Sequence, residues 1–293
     1  MTKNFAAIIL LFAFVSPCLS HASGERITAT ARQIEAELGA RVGLAIHDTG
    51  SGEIWSHRAD ERFPMASTFK VLACGALLAR ADAGQENVGR QVEIRRSDLV
   101  THAPVTQSRV GTTMSLDALC DATMRTSDNT AANKVLDALS GPEAVTRFAR
   151  SLGDRTTRLD RRETALNEGA PGDPRDTTSP AAMAATLRRL VLGDALSVAS
   201  RAQLTQWLVA NEVGGPLLRA GLPHDWRVGD RTGAGGHGTR GIVAVIWPTG
   251  RAPLIAVVYI TGATASMDRR NAAIASIGKA LAETVSAIPG KRR

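Results

Sequence analysis

Apolar residues recur at Ile27, Ala31, Ile34 and Leu38, three or four positions apart, which is the period of one buried helix face. Ser23 is placed to cap that helix. The pattern then changes period. Arg41 to Asp48 and Glu53 to His57 read as strands, and Thr49-Gly50-Ser51-Gly52 between them is turn chemistry, so the pair predicts a hairpin. Pro64 disfavours helix for the residue before it, so the next helix starts near Ser67 and runs to about Ala81. Helical periodicity then predicts elements over Leu116–Thr126, Ala131–Leu139, Pro142–Leu152, Pro180–Leu192 and Arg201–Asn211. Asp160 to Thr178 breaks the series as a long loop rich in charge, Gly and Pro, and loops of that length usually serve a function. Strands return at Arg227–Thr232, Ile242–Pro248 and Leu254–Thr261, and Asp268–Ile288 closes the chain as an amphipathic helix.

Strands near both ends with helices between them predict an α/β fold: one antiparallel sheet built from the two termini, flanked by helices, with an all-helical domain inserted. On that plan residues 23–63 and 213–290 form the α/β domain and 64–212 the helical one, with the loop 160–178 inside it. Residues 1–22 read as an export signal. Lys3 precedes the apolar run Phe5 to Val15, and Ser20-His21-Ala22 has the small-x-small form of a cleavage site. The run is short against the roughly 20 residues a membrane span needs. Val15-Ser16-Pro17-Cys18 is close to a lipoprotein cleavage box, but Pro17 argues against acylation of Cys18.

Composition narrows the function. At 293 residues and 44% hydrophobic content the chain can bury a large core, which argues against disorder. The net charge is +7, or +6 once Lys3 leaves with the signal. A basic balance can serve nucleic acid, but these arginines are spread along the whole chain and aromatics are only 4%, so a solvated surface is the better reading. Export leaves Cys74 and Cys120, an even pair in an oxidising compartment, to be read as a disulfide or as two separate thiols. Cysteine and histidine spacing offers no metal site, and the expected cofactor is none.

Four segments carry candidate chemistry. Ser67-Thr68-Phe69-Lys70 sets a hydroxyl and an amine one helical turn apart, and a partly desolvated lysine can take a serine proton. Ser127-Asp128-Asn129 falls between two helices, either as a helix cap or with its polar groups turned to a cleft. Glu163 and Asn167, four residues apart in the long loop, can hold one water between a carboxylate and an amide. Arg231-Thr232-Gly233-Ala234-Gly235-Gly236 ends a strand, and its glycines allow either a plain turn or close approach of a substrate.

In this order the four segments resemble the class A serine β-lactamases, over nearly all of the mature chain from about Ser23 to Ile288. The resemblance implies Ser67 as the nucleophile that attacks the lactam carbonyl, and Lys70 as its general base or a proton relay. Glu163 with Asn167 resembles the pair that activates the deacylating water, and either Glu163 or Lys70 serves in acylation. Ser127 is then the proton shuttle to the lactam nitrogen, Asn129 a contact to the substrate amide, and Asp128 structural. Backbone N–H groups of Ser67 and Ala234 match the oxyanion hole, and Thr232 and Gly233 line the substrate side. Arg161 and Asp176 match the ion pair that closes the omega loop, and Cys74 and Cys120 the family's disulfide.

Two positions depart from the common pattern. Arg231 stands where lysine is usual, as in the carbenicillin-hydrolysing subgroup, and a guanidinium binds carboxylates in a planar fork. With Arg240, at the family's other carboxylate position, it implies penicillins first, carboxypenicillins included. His102 replaces a larger aromatic at the substrate rim. Ala66 and Gly235 stand where carbapenem-hydrolysing members carry a cysteine pair, and Gly235 also lacks the serine of many broadened cephalosporinases, so weak turnover of both classes is expected. The expected setting is periplasmic, as a monomer acting on a small molecule, with no nucleic-acid partner and no membrane anchor after signal removal. A peptidoglycan DD-peptidase or a non-catalytic penicillin sensor shares the Ser-x-x-Lys start, but the Glu163–Asn167 pair resembles the lactamase alone.

Overall fold

Odd and even residues of one strand, Arg240–Trp247, go to different cores: Ile242, Ala244 and Ile246 pack on one side of the sheet, Val243 and Val245 on the other. That alternation is what a strand buried on both faces requires. The structure is a computed structural model and describes residues 18–287, with side chains from residue 24. Among the described residues the main sheet has the order β2-β1-β9-β8-β7, antiparallel throughout, with β1 (Arg41–Asp48), β2 (Ile54–His57), β7 (Arg227–Ala234), β8 (Arg240–Trp247) and β9 (Leu254–Thr261). Strands from both ends of the chain thus meet, with Val42 opposite Ile260 and Ile242 opposite Val258. Central β9 is buried at every position, as its unbroken apolar run requires.

Helices α1 (Cys18–Leu38) and α8 (Met267–Ala287) cover one face through Ile27, Ile34, Ile274, Ile277 and Leu281. The other face meets α6 (Pro180–Val191) and, beyond it, α2 (Phe69–Asp82), α3 (Leu116–Thr126), α4 (Asn129–Ala138), α5 (Pro142–Ser151) and α7 (Val198–Val209). The predicted antiparallel sheet flanked by helices is therefore present. A disulfide joins Cys74 of α2 to Cys120 of α3, the first of the two readings of that pair.

Several boundaries differ from expectation. The first helix runs through Ser23 instead of being capped by it, because no residue between Cys18 and Ser23 breaks a helix and Pro17 lies before it. Ser197 caps α7, accepting from Ser200 N, and moves its start from the predicted Arg201 to Val198. Asp128 caps α4, so that helix opens at Asn129 instead of Ala131. Two short pairs had no periodicity to reveal them: β3 (Phe63–Pro64) with β6 (Thr177–Thr178), and β4 (Gln91–Glu93) with β5 (Thr113–Ser115). Of the expected export signal, residues 1–17 lie outside the described residues, as does Ile288 at the predicted end of the last helix.

Candidate active site

Ser67 sits in a 3-10 turn, Ala66–Thr68, that leads directly into α2. Thr68 Oγ1 anchors the turn, donating to Met65 O (2.8 Å) and meeting Tyr259 OH at 2.9 Å. Ala66 has φ +42°, a left-handed value that costs a non-glycine residue on the order of 1–3 kcal/mol and persists only where packing enforces it. Strand β7 runs alongside. A Cβ on Gly233 would lie 2.7 Å from Met65 O and 3.2 Å from Ser67 N, so glycine is what lets the strand come this close. Ala234, at the end of β7 opposite Arg240, thereby lies beside the turn that carries Ser67.

Around Ser67 the four predicted segments converge. Ser67 Oγ donates to Glu163 Oε1 (3.2 Å), and the same oxygen lies 3.0 Å from Lys70 Nζ, with both of those side chains fully buried. Lys70 Nζ also donates to Ser127 O (2.9 Å), Ser127 Oγ (3.3 Å) and Asn129 Oδ1 (2.6 Å). Burial pushes the Lys70 amine down to about 8, against the opposing pull of Glu163, while Arg231 adds to the depression. Ser127 occupies a left-handed position (φ +65°) at the corner between α3 and α4, which turns its hydroxyl toward the cleft.

Arg231, fully buried, donates from Nη2 to Ser127 Oγ (2.5 Å) and from Nη1 to Thr232 Oγ1 (3.4 Å). Neither Arg231 nor a protonated Lys70 has an acceptor atom, so Ser127 Oγ accepts from both and its own hydrogen points to Ser67 Oγ, 3.4 Å away. The proton of Ser67 is then left to Glu163. Burial lowers the Arg231 and Arg240 guanidiniums to about 10, so both remain charged at neutral pH. Arg240 is held by Asn271 Oδ1 (2.8 Å) and Gly233 O (3.2 Å).

Glu163 is clasped from two sides. Asn167 Nδ2 donates to its Oε2 (2.5 Å), and Asn133 makes two bonds with its backbone: Nδ2 to Glu163 O (2.9 Å), and Oδ1 from Glu163 N (3.0 Å). Sequence reading missed Asn133, although it stands four residues after Asn129 on the same face of α4. The Glu163–Thr164 peptide bond is cis. Arg161 Nε donates to Asp176 Oδ2 (2.6 Å), and Asp176 Oδ1 accepts from Asp160 N and Arg161 N, which ties the loop at its neck. Asn167 Oδ1 and Arg231 Nε are buried without a protein partner.

Asp128 is spent on structure, accepting from Ala131 N, Val105 N, Thr106 N and Thr106 Oγ1. Asn129 Nδ2 donates to Thr101 O (2.8 Å), and its second N–H is the one the structure leaves for a ligand. His102 stands at the rim, outside the proton network, with Nε2 2.9 Å from Thr126 O, which makes Nε2 the protonated ring nitrogen. A Cβ on Gly235 would meet Asn167 O at 2.7 Å, and Gly236 N donates to Asn167 O (2.8 Å), so the glycine turn lies flat against the loop that carries Glu163. Together the groups can attack an acyl carbon, protonate a leaving nitrogen and activate a water, with cations for an anionic substrate.

A sequence model of the Beta-lactamase enzyme family matches residues 25–285. Beta-lactamase AER-1 of Aeromonas hydrophila is 50% identical over 253 residues, 86% of this chain and 83% of that one. Beta-lactamase PSE-4 of Pseudomonas aeruginosa is 46% identical over 276 residues, 93% and 96% of the two chains. Among solved structures, an ancestral class A β-lactamase (GNCA) superposes with a TM-score of 0.86 at 55% identity, covering 88% of this chain and 99% of that one.

Proposed function

The chain belongs to the Beta-lactamase enzyme family, and from that premise we propose that it opens the β-lactam ring of penicillins through an acyl-enzyme on Ser67, conferring resistance to them. The observation that carries this reading is the single cluster in which Ser67 Oγ and Lys70 Nζ share one oxygen of Glu163, whose other oxygen is held by Asn167.

Ser67 Oγ attacks the lactam carbonyl as its proton passes to Glu163, directly or by way of Lys70. Charge gathering on the carbonyl oxygen is met by the N–H groups of Ser67 and Ala234, an arrangement worth about 3–4 kcal/mol per donor in comparable sites. The ring C–N bond breaks, and Ser127 gives its proton to the departing nitrogen. Lys70, in contact with Ser127 Oγ, replaces that proton. Glu163 returns its proton to Lys70, 3.0 Å away, and is a carboxylate again. With Asn167 it then holds a water, takes a proton from it as the water oxygen attacks the ester carbonyl, and gives that proton to Ser67 Oγ as the C–O bond breaks.

Arg231, Arg240 and Thr232 receive the substrate's carboxylate, and the forked guanidinium of Arg231 extends the range to carboxypenicillins. Ala66 and Gly235 supply neither the cysteine pair of carbapenem-hydrolysing members nor the serine of broadened cephalosporinases, so carbapenems and oxyimino-cephalosporins turn over slowly. Residues 23–63 and 213–287 act as the α/β frame, 288–290 of the expected span lying outside the described residues, and 64–212 act as the helical part, with the cleft at their junction. A periplasmic setting for a monomer is supported by the N-terminal charge and apolar run and by the Cys74–Cys120 disulfide, and no helix among the described residues is long and apolar enough to cross a membrane.

Intact-protein mass after mixing with benzylpenicillin, read beside loss of lactam absorbance over many equivalents, tests the reading. Sustained lactam loss with an unmodified resting enzyme is expected. A persistent penicilloyl adduct without turnover would assign a DD-peptidase or a sensor instead.

A further inference from the structure

Away from the cleft, a cavity of about 500 Å³ opens where the chain enters the loop that carries Glu163, and its wall includes Arg62, Arg150 and Arg158 with Glu143 and Asp160. Its acids are already matched. Glu143 pairs with Arg147 (3.3 Å) and Asp160 with Arg158. Arg62 and Arg150, by contrast, pair with no carboxylate among the described residues. Arg62 Nη1 donates to Thr156 O and Thr177 Oγ1, and Arg150 Nη1 to Asp154 O and Thr157 O. Those bonds hold both guanidiniums against the 154–157 backbone without neutralising either charge. Each guanidinium keeps further N–H donors, since it has five and these bonds use one nitrogen.

We propose that this cavity binds a phosphate group, free or carried on a lipid head, and that the occupant braces the neck of the loop. The three guanidiniums come from three separate segments: the link between β2 and β3, helix α5, and the approach to the loop. Cations converging from several directions suit a tetrahedral dianion with oxygens on every side, whereas a carboxylate offers one edge that a single fork satisfies. The wall is also the neck itself. Arg158 N donates to Thr177 O (2.9 Å), and Asp160 accepts from Asp176 N (3.0 Å), the residue whose carboxylate Arg161 holds. Arg158 forks onto Asp160 through Nε and Nη2 and keeps Nη1 for an occupant, so a phosphate bridging Arg62 and Arg150, with Arg158 Nη1 as a third donor, cross-links both strands of the neck to α5.

The test is a 31P NMR titration of inorganic phosphate at fixed ionic strength against a chloride control, with the melting temperature followed in parallel. Saturable binding is expected, with a dissociation constant on the order of 1 mM, as two or three charge-assisted hydrogen bonds on a half-solvated surface give. The melting temperature should rise with occupancy, and amide exchange over 158–177 should slow. The double variant Arg62→Gln, Arg150→Gln should lose all three effects while keeping benzylpenicillin turnover, which also shows that it is folded. Sedimentation with phosphatidylcholine vesicles, with and without phosphatidic acid, separates the sources. Vesicle binding that inorganic phosphate competes away assigns the lipid head, and saturable phosphate binding without vesicle binding assigns the free anion. Phosphate effects no larger than those of chloride, or unchanged in the double variant, overturn the proposal.

Discussion

Glu163→Gln separates the two halves of the proposed reaction. The amide keeps the size of the carboxylate and an acceptor for Asn167 Nδ2, so the loop that the Asn133 clasp also holds should stay in place. What is lost is the base and the anion 3.0 Å from Lys70. Removing a positioned general base lowers a rate by about 10²–10⁴-fold, or about 3–5 kcal/mol of barrier, and the loss should fall on deacylation, and on acylation as well if Glu163 and not a neutral Lys70 takes the Ser67 proton. The fold should suffer less than a broken buried ion pair implies. A buried charge forced to stay unpaired costs about 3–5 kcal/mol, but Lys70 can release its proton. Its pKa is about 8 even with Glu163 beside it, so at pH 7 the charged form is preferred by only about 1 kcal/mol. Neutralisation caps the Lys70 share of the damage there, a drop of about 2 °C in melting temperature for a chain of this size. Stopped-flow mixing with benzylpenicillin, quenched into intact-mass analysis, should show a Ser67 adduct that forms and persists. Acylation slowed in proportion would make Glu163 the base for both steps, and acylation near the parent rate would give that step to neutral Lys70. Turnover at the parent rate with no adduct would remove Glu163 from the mechanism altogether.

Arg231→Lys replaces with one nitrogen the two that reach Ser127 (Nη2) and Thr232 (Nη1). Carbenicillin kcat/KM should fall relative to benzylpenicillin by about fivefold, near 1 kcal/mol, and an unchanged ratio sinks the subgroup argument. Lys70 also makes stability depend on pH. Burial lowers its pKa from 10.5 to about 8 in the folded chain, so below pH 8 folding bears the cost of a buried charge. Between pH 8 and 10.5 the unfolded chain keeps a proton the folded one has released, and raising pH stabilises the fold, by about 3 kcal/mol over that window. Urea midpoints of the parent minus those of Lys70→Met should follow this rise, and a flat difference would refute the assigned depression. Cys120→Ser opens a loop with a sequence separation of 46 residues. The chain-entropy argument puts the loss at about 4 kcal/mol as an upper value, so a variant that melts with the parent would show that the bond adds nothing to equilibrium stability.

Much of this was legible because the relevant signals are local. Periodicity marks a helix when one face is buried, which is why α3, α5, α6 and the three C-terminal strands were placed to within a few residues. Ser-x-x-Lys is likewise local, since three residues on a helical turn suffice to bring Ser67 and Lys70 together. Short pairings such as Phe63 with Thr178 have no period, and neither β3 nor β6 could be seen before the chain closed on itself.

Legible in the amino-acid sequence were the four candidate segments, a serine and a lysine sharing the first turn of a helix, strands from both ends forming one sheet, and an arginine standing where a lysine is usual. Only the tertiary structure decided how these groups address one another. Ser67 and Glu163 meet across 96 residues of chain, and Arg231 and Ser127 across 104. The direction of the proton network follows from those meetings, because a hydroxyl can donate only where its other neighbours cannot accept. The left-handed backbone at Ala66, His102, Ser127 and Asp176 belongs to the same class of facts. Asp and His tolerate that region better than most residues, but no local preference selects it for Ala66 or Ser127, so there it exists only because the packed strands and helices around the cleft enforce it.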